Sequence, residues 1–369
     1  MEYPTSASDS HIPLHRQLLS TPAHEQRSCP LLRAVPAEIR SYIFGQALMD
    51  YEEPAAAKRY VEDSCWARPS YSAPRRTDTA LLRTCRSIYG ETWFLPFMLK
   101  EQTHWITAQN RAPPDYNVDT SPDILRSTVA EIRQQHKQPT VEIDFLRIFT
   151  QMYKIEQDDV ARFLQCVPDL SFRRLCITIR HADFWFWEND EPLRFEGEWI
   201  PKVCRALPCT VREVVIEMET VRRKAAQLDE IARQMTQRWH FRTKDGGLLF
   251  ADSTPDSHEV SRWRGSSAWH NRRWVRDEIS KGVIEYHVVA VRFKPKHAIE
   301  RAGGTISGEA LEAAAAEAFV KSSMLKLHIP NAEAMQCAQA SVPYDTHDQD
   351  RDRRIGRRRR RRSARLRGE

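Results

Sequence analysis

The chain has no C-x-x-C cysteine pair, no asparagine in an N-x-S/T acceptor and no apolar run near the roughly 20 residues of a membrane span. Its eight cysteines (Cys29, Cys65, Cys85, Cys166, Cys176, Cys204, Cys209 and Cys337) are scattered. Several sit in apolar runs such as "RRLCITI" and "FLQCVP", where a free thiol behaves as a small buried hydrophobe, and a reducing compartment fits that usage. The opening "MEYPTSASDSHIPLHRQLLS" lacks the basic start and apolar core of a signal peptide, so the expected address is cytoplasm or nucleus, with no membrane association.

Catalytic templates are missing as well. There is no GxxxxGK[ST], no GxGxxG after a strand, no GxSxG elbow and no HExxH. "RAGGTISGEA" holds three glycines, but no strong strand directly precedes it and no lysine follows, so it reads as linker. Cys204 and Cys209 with His181 match no zinc spacing. These absences predict a protein that is not an enzyme and carries neither cofactor nor metal.

What is present divides the chain. At 369 residues, with 41% hydrophobic residues and ten tryptophans, it can build a sizeable core, while 21 prolines and a mean hydropathy of -0.60 imply long loops. The formal charge of +6 comes from the end: residues 351–369 hold eleven arginines against Asp352 and Glu369, leaving 45 bases against 48 acids in residues 1–350. The tail is +9 and the body -3.

Residues 1–30 are polar and without period, and read as a flexible leader. "LLRAVPAEIRSYIFGQAL" predicts a helix from Pro36, with Glu38 in its first turn. Ile39, Tyr42, Ile43 and Ala47, widened by Phe44 and Leu48, form its apolar face; Glu38, Arg40, Ser41 and Gly45 point away. Residues 50–77 carry Pro54, Pro69 and Pro74 and read as a polar insertion. A second helix is expected from Asp78 or Thr79 to Pro96, with Leu81, Leu82, Cys85, Ile88, Tyr89 and Trp93 as its stripe.

From 101 to 330 helical and strand patterns alternate. Helices are expected at "ILRSTVAEIRQQHK", "DDVARFLQC", "EGEWIPKVCRAL" and "VRRKAAQLDEIARQMTQRW"; strands at 141–149, 173–180, 211–220 and 283–295; and a hairpin around Asp245, Gly246 and Gly247. Such alternation implies crossovers between partly parallel strands. "GEALEAAAAEAFVKSSMLKL" has high helix propensity and a weak apolar face, and residues 331–369 read as a disordered tail. The expected fold is α+β: an N-terminal helical pair packed on a mixed α/β region.

Three stretches carry chemistry. "IRHADFWFWENDEPLRFEGEW" sets His181, Asp183, Glu188, Asp190 and Glu191 among Phe184, Trp185, Phe186, Trp187 and Trp199. Aromatics beside carboxylates can hold a sugar, a methylated lysine or a basic peptide, and paired carboxylates serve glycoside hydrolysis; the alternative is aromatic plugging of a sheet end beneath an acidic loop. "SRWRGSSAWHNRRWVRDE" interleaves Trp263, Trp269 and Trp274 with Arg262, Arg264, Arg272, Arg273 and Arg276, a mixture found in single-strand nucleic-acid binders and also in ordinary Arg-on-Trp packing. Arg357, Arg358, Arg359, Arg360, Arg361 and Arg362 repel one another, and could serve an import receptor, a nucleic acid or solubility.

The two N-terminal patterns together resemble the paired motif of fungal F-box-like proteins of unknown function, L-P-x-E-I-R-x-x-I-[YF] followed after a variable insertion by L-[LR]-x-[TV]-C-R-x-I-Y-x-E. Pro36, Glu38, Ile39, Arg40, Ile43 and Phe44 match the first half, with Val35 where that motif has leucine. Leu82, Cys85, Arg86, Ile88, Tyr89 and Glu91 match the second. The resemblance implies a noncatalytic interaction module that docks a Skp-type adaptor of a cullin ubiquitin ligase and recruits substrate elsewhere. Pro36, Ile39, Ile43, Phe44, Leu82 and Tyr89 would hold the helical pair together or meet the adaptor. The alternative expectation is a nuclear, nucleic-acid-associated protein using the arginine tail and the Trp/Arg stretch.

Overall fold

The computed structural model describes residues 14–330 and Ala332, apart from 25, 56, 58, 62, 70, 256, 270, 271 and 317–324. The arginine tail therefore lies outside the described residues. Two compact units are present, one of Met1–Glu53 with Arg75–Glu101, the other of Pro54–Pro74 with Gln102–Glu369.

The first unit contains α1 (Leu14–Leu19), α2 (Pro30–Ala34), α3 (Ala37–Ala47), a ribbon of β1 (Asp50–Glu52) and β2 (Arg75–Thr77), a 3-10 turn at Leu81–Arg83, α4 (Arg86–Thr92) and α5 (Leu95–Leu99). Part of the expected flexible leader is thus a helix, because His15 is buried and stacks on Trp93 at 4.2 Å. The single helix expected from 78 to 96 is interrupted. Cys85 is extended (φ -158°, ψ 162°), so a capped turn, in which the Ala80 N–H donates to Asp78 Oδ1, precedes a separate α4.

Helix α3 forms where expected but rotated. Its inner row is Arg40, Phe44 and Leu48, one residue per turn; Phe44 and Leu48 are buried, while Ile39, Tyr42 and Ile43 are 52%, 69% and 42% exposed. Apolar residues lie around most of this helix, so hydrophobicity alone leaves its orientation undecided. A polar contact accompanies the observed orientation: Arg40, which the sequence assigned to the outer side, donates from Nε and Nη2 to the Glu91 carboxylate of α4 at 3.1 and 2.9 Å, and from Nη1 to the Val35 carbonyl at 2.8 Å.

The second unit is a mixed α/β domain around a nine-stranded sheet. Its elements are β3 (Gln102–Ile106), α6 (Ser121–His136), β4 (Val141–Thr150), α7 (Met152–Glu156), α8 (Asp159–Cys166), β5 (Leu170–Ile179), β6 (Phe195–Glu196), α9 (Ile200–Cys204), β7 (Glu213–Val221) and α10 (Ala225–Arg238). Then follow β8 (His240–Arg242), β9 (Leu248–Ala251), β10 (Glu259–Ser266), β11 (Ala268–Trp269), β12 (Arg272–Arg273), β13 (Glu278–Ser280), β14 (Val283–Pro295), α11 (Lys296–Arg301), α12 (Gly308–Ala315) and β15 (Lys326–Leu327). The spatial order is β3-β4-β5-β7-β14-β9-β8, with β10 and β13 also on β14. β3, β4, β5 and β7 run parallel; β14 returns antiparallel along β7.

Each parallel crossover advances the chain one strand in the same direction, so right-handedness places their helices on one sheet face. Leu146, Ile148, Leu175, Ile177, Ile216 and Met218, all fully buried, form the strand side of that layer. α10 joins it through Leu228, Ile231, Ala232 and Met235. The opposite face has a different cover. Residues 54–74, read from sequence as a polar insertion in the helical segment, belong to the sheet unit: Trp66 and Tyr71 pack against Trp105 and Phe149. Beyond that cover the face carries a ladder of Arg147, Arg174 and Arg292 against Glu213, Glu217 and Glu259.

The hairpin expected at 245–247 is β8–β9, with Gly246 at φ +88° as its turn requires. Of the Ala-rich segment, Gly308–Ala315 is a docked helix, with Ala310 and Ala314 packed on Phe250 and Ile299, whereas Lys326–Leu327 at its end is strand β15, paired with β6. Among the strands not expected from sequence are β3, which pairs parallel with β4, and β10, inside the Trp/Arg stretch.

Two outcomes test this packing. Phe44→Ala should lower the urea-denaturation stability of its unit by about 3–5 kcal/mol, and Tyr42→Ser by no more than about 0.5 kcal/mol; the reverse ranking would restore the face expected from sequence. In β8, burial, aided by Arg242, lowers His240 from 6.5 to about 4. The unfolded chain then binds a proton that the native chain refuses, so stability is lost as pH falls from about 6.5 towards 4. His240→Phe should cut the stability difference between about pH 7.5 and pH 5 by ~2 kcal/mol, measured by denaturant melts at both values.

Candidate functional site

The six N-terminal candidates do not share one surface. Ile39 and Ile43 stand with Tyr42 on the open face of α3, and Pro36, exposed, caps its start. Phe44 is 1% exposed, while Leu82 on the 3-10 turn and Tyr89 on α4 are half-buried. Tyr42, outside the candidate set, is the most exposed of the three apolar side chains on this face.

In the second unit the chemistry gathers at the C-terminal ends of β5 and β7, the edge where open α/β sheets place ligands. Arg180, the residue after β5, is almost fully buried. Its Nε and Nη2 donate to Asp183 at 2.5 and 3.1 Å, and its Nη1 donates to the carbonyls of Cys65 and Arg111 at 3.0 and 3.1 Å. Its guanidinium lies 5.0 Å from the Trp105 ring centroid.

Glu217 and Glu219 project from β7 on the face covered by residues 54–74, and Arg68 in that cover meets both, at 3.2 and 3.5 Å. Burial pushes the Glu217 carboxyl up, but Arg68 and Arg147 more than reverse this and leave it below its ordinary range. Glu219 ends above its ordinary range because burial outweighs Arg68 and the Trp263 Nε1–H that donates to it at 2.9 Å. Trp263 also stacks on Tyr286 at 4.3 Å, whose hydroxyl burial raises well above 10. Arg68, Glu219, Trp263 and Tyr286, with Cys65 and His181, line a cavity of about 40 Å³. That is room for a water or two and not for an organic substrate.

The aromatic–acidic stretch leaves this edge as two 3-10 turns. Phe184, Trp187 and Trp199 are buried, matching the plugging alternative. Its acids are largely committed. Asp183 pairs with Arg180, and Asp190 receives Arg223 at 2.8 and 2.5 Å and the fully buried Lys224 at 2.9 Å. Arg223 reaches on to Asp277 at 2.6 Å, and Arg276 donates to the carbonyls of Glu188 and Trp187 at 2.8 and 2.6 Å. Glu188 stays half-exposed, 3.7 Å from Arg111. His181 is buried, its Nδ1 3.4 Å from Thr220 Oγ1, and burial with the charges of Lys224, Arg223 and Arg276 keeps it neutral.

The Trp/Arg stretch is bound into the fold through Trp263, Trp274 and Arg273, while Arg262 and Arg272 stay exposed. Trp263 is engaged as above, Trp274 packs on Trp187 at 4.4 Å, and Arg273 forms a two-pronged pair with Glu278. Among the described residues no group of three metal-ligating side chains converges, and no helix is long and apolar enough to cross a membrane.

Sequence reading missed Arg68, because it sits in a segment without period. The available signal was Tyr60, Trp66 and Tyr71 in that segment, since rings of this size are seldom left to a loose polar loop.

Arg68→Met should destabilise the α/β unit by about 3–5 kcal/mol, because it strips the counter-charge from the buried Glu219, whereas Glu217 keeps Arg147. Glu219 then stays protonated to higher pH in the native state, so the deficit should be larger near pH 8 than near pH 5. Adding Glu219→Gln should recover part of it in the same melts; a deficit independent of pH and of Glu219 would refute this role.

Comparisons of the chain with protein-family models, with curated proteins and with solved structures find no match, so a functional reading rests on the residues and their geometry.

Proposed function

We propose that the chain is a noncatalytic protein-interaction module of F-box-like type, in which α3 docks a Skp-type adaptor of a cullin ubiquitin ligase and the α/β unit supplies a second recognition surface. The observation that carries this reading is the open apolar row of α3. Ile39, Tyr42 and Ile43, at i, i+3 and i+4, remain 42% or more exposed although the same helix buries Phe44 and Leu48. Three large apolar side chains on one exposed helical face suit helix-in-groove recognition, in which such rows act as anchors. The resemblance of Pro36, Glu38, Ile39, Arg40, Ile43 and Phe44 to the F-box-like motif supplies the class of partner.

The noncatalytic part of the reading is supported by the commitment of Asp183, Asp190, Glu217 and Glu219 to cations, and by the small size of the cavity beside Glu219. The nucleic-acid alternative loses two of its stacking rings, because Trp263 and Trp274 are taken up by internal packing.

The test is co-expression of the full chain with a fungal Skp-type adaptor, followed by co-purification. The wild-type chain should retain the adaptor, and Ile43→Asp, whose exposed position leaves the fold intact by circular dichroism, should lose it by at least about tenfold in Kd. Retention by the Ile43→Asp chain, or no binding by the wild type, would overturn the adaptor assignment.

A further inference from the structure

The loop after β5 builds a second concave feature, separate from the small cavity. A cleft with about 220 Å³ of room is walled by Tyr153, Trp185 and Phe186 and edged by Arg111, Gln151 and Glu188. Its rings already show what they hold. The Arg194 guanidinium lies 5.5 Å from the Trp185 ring centroid, and Lys154 Nζ lies 5.5 Å from that of Tyr153. Arg111 lies 5.5 Å from the neighbouring Trp187 ring. Phe186 is the exception: it is 46% exposed and, among the described residues, no cation is placed over it.

The presentation of Phe186 is fixed rather than loose. It has a left-handed backbone (φ 50°), as does Asp190 (φ 63°), and that short loop is clamped by Arg223 and Lys224 on Asp190 and by Arg276 on the Trp187 and Glu188 carbonyls. Carboxylates accompany these cations. Glu188 edges the cleft 3.7 Å from Arg111, and on the Trp185 side Glu156 accepts from Trp185 Nε1 at 2.9 Å and feels the charges of Arg194, Glu196 and Glu198. An aromatic wall that seats cations, one ring left open and carboxylates beside the wall together fit a guanidinium.

We infer that the open ring of this cleft receives an arginine of the chain's own tail, residues 351–369. The tail supplies eleven arginines and a net +9 to a body of net -3. Roughly 25 residues between Ala332 and Arg357 can extend about 80 Å, so reach is not limiting. The tether also gives the tail an effective concentration of about millimolar order, which favours it over free basic peptides. A docked tail would be withheld from an import receptor or a nucleic acid, making the cleft a control on tail exposure. This inference is independent of adaptor docking by α3.

The test uses the full-length chain with all eleven tail arginines changed together (R351Q, R353Q, R354Q, R357Q, R358Q, R359Q, R360Q, R361Q, R362Q, R365Q and R367Q), and a fluorescein-labelled peptide of residues 351–369 followed by anisotropy. The peptide should bind the neutralised-tail chain at least about tenfold more tightly than the wild type, whose own tail competes. Adding Phe186→Leu, which keeps an apolar side chain but removes the π face, should weaken peptide binding about five- to tenfold. Absence of binding to the neutralised-tail chain overturns the inference. So does equal binding to both tails, which would assign the cleft to another protein's basic segment, or indifference to Phe186→Leu, which would reduce the contact to general attraction by acids.

Discussion

The α/β unit depends on a guanidinium placed over a buried carboxylate. Glu217 and Glu219 lie on one face of β7; Arg147 of β4 reaches Glu217, but Glu219 is buried, and a buried carboxylate without a counter-charge is costly enough to be protonated or to unfold its surroundings. Arg68, from a segment far away in sequence, meets both. Once it is seated, the Cys65 carbonyl is positioned for Arg180, and Trp66 and Tyr71 lie over Trp105 and Phe149. The cover is therefore electrostatic at its centre and aromatic at its margin. Neither part suffices alone: the rings give area without direction, and the ion pairs give direction only when desolvated.

The same device recurs at the neighbouring loop. Helices cover one face of the sheet, but the ends of β5 and β7 have no helix over them, and paired charges close the gap. Lys224 and Arg223 hold Asp190, Arg223 continues to Asp277, and Arg276 holds two carbonyls of the aromatic loop. Each pairing fixes a backbone that would otherwise be free, so the aromatic residues of that loop sort into buried plugs (Phe184, Trp187) and an exposed ring (Phe186). Acids that looked available for catalysis in the sequence are largely spent on this fastening.

The first unit has a comparable ion pair. Arg40 and Glu91 bond to each other by two prongs on the side of α3 where Phe44 and Leu48 go inward. The Ile39–Tyr42–Ile43 row is the part left to solvent.

The strands at 141–150, 170–179, 213–221 and 283–295, the crossover helices between the first three, and the Gly246 turn were legible in the sequence, because each depends on local periodicity and turn chemistry. β10 was hidden: its alternation is arginine with serine, tryptophan and glycine, and charge masks a period of two until β14 is seen beside it. The side of α3 that would be buried could not be read either, because apolar residues on most of a helix leave the choice to a partner. The place of Arg68 was likewise undetermined, since its carboxylates lie about 150 residues further along the chain. Local spacing determined which segments became helix and strand; long-range pairing of buried charges decided which faces closed and which stayed open, because the cost of an unpaired buried charge exceeds any local preference.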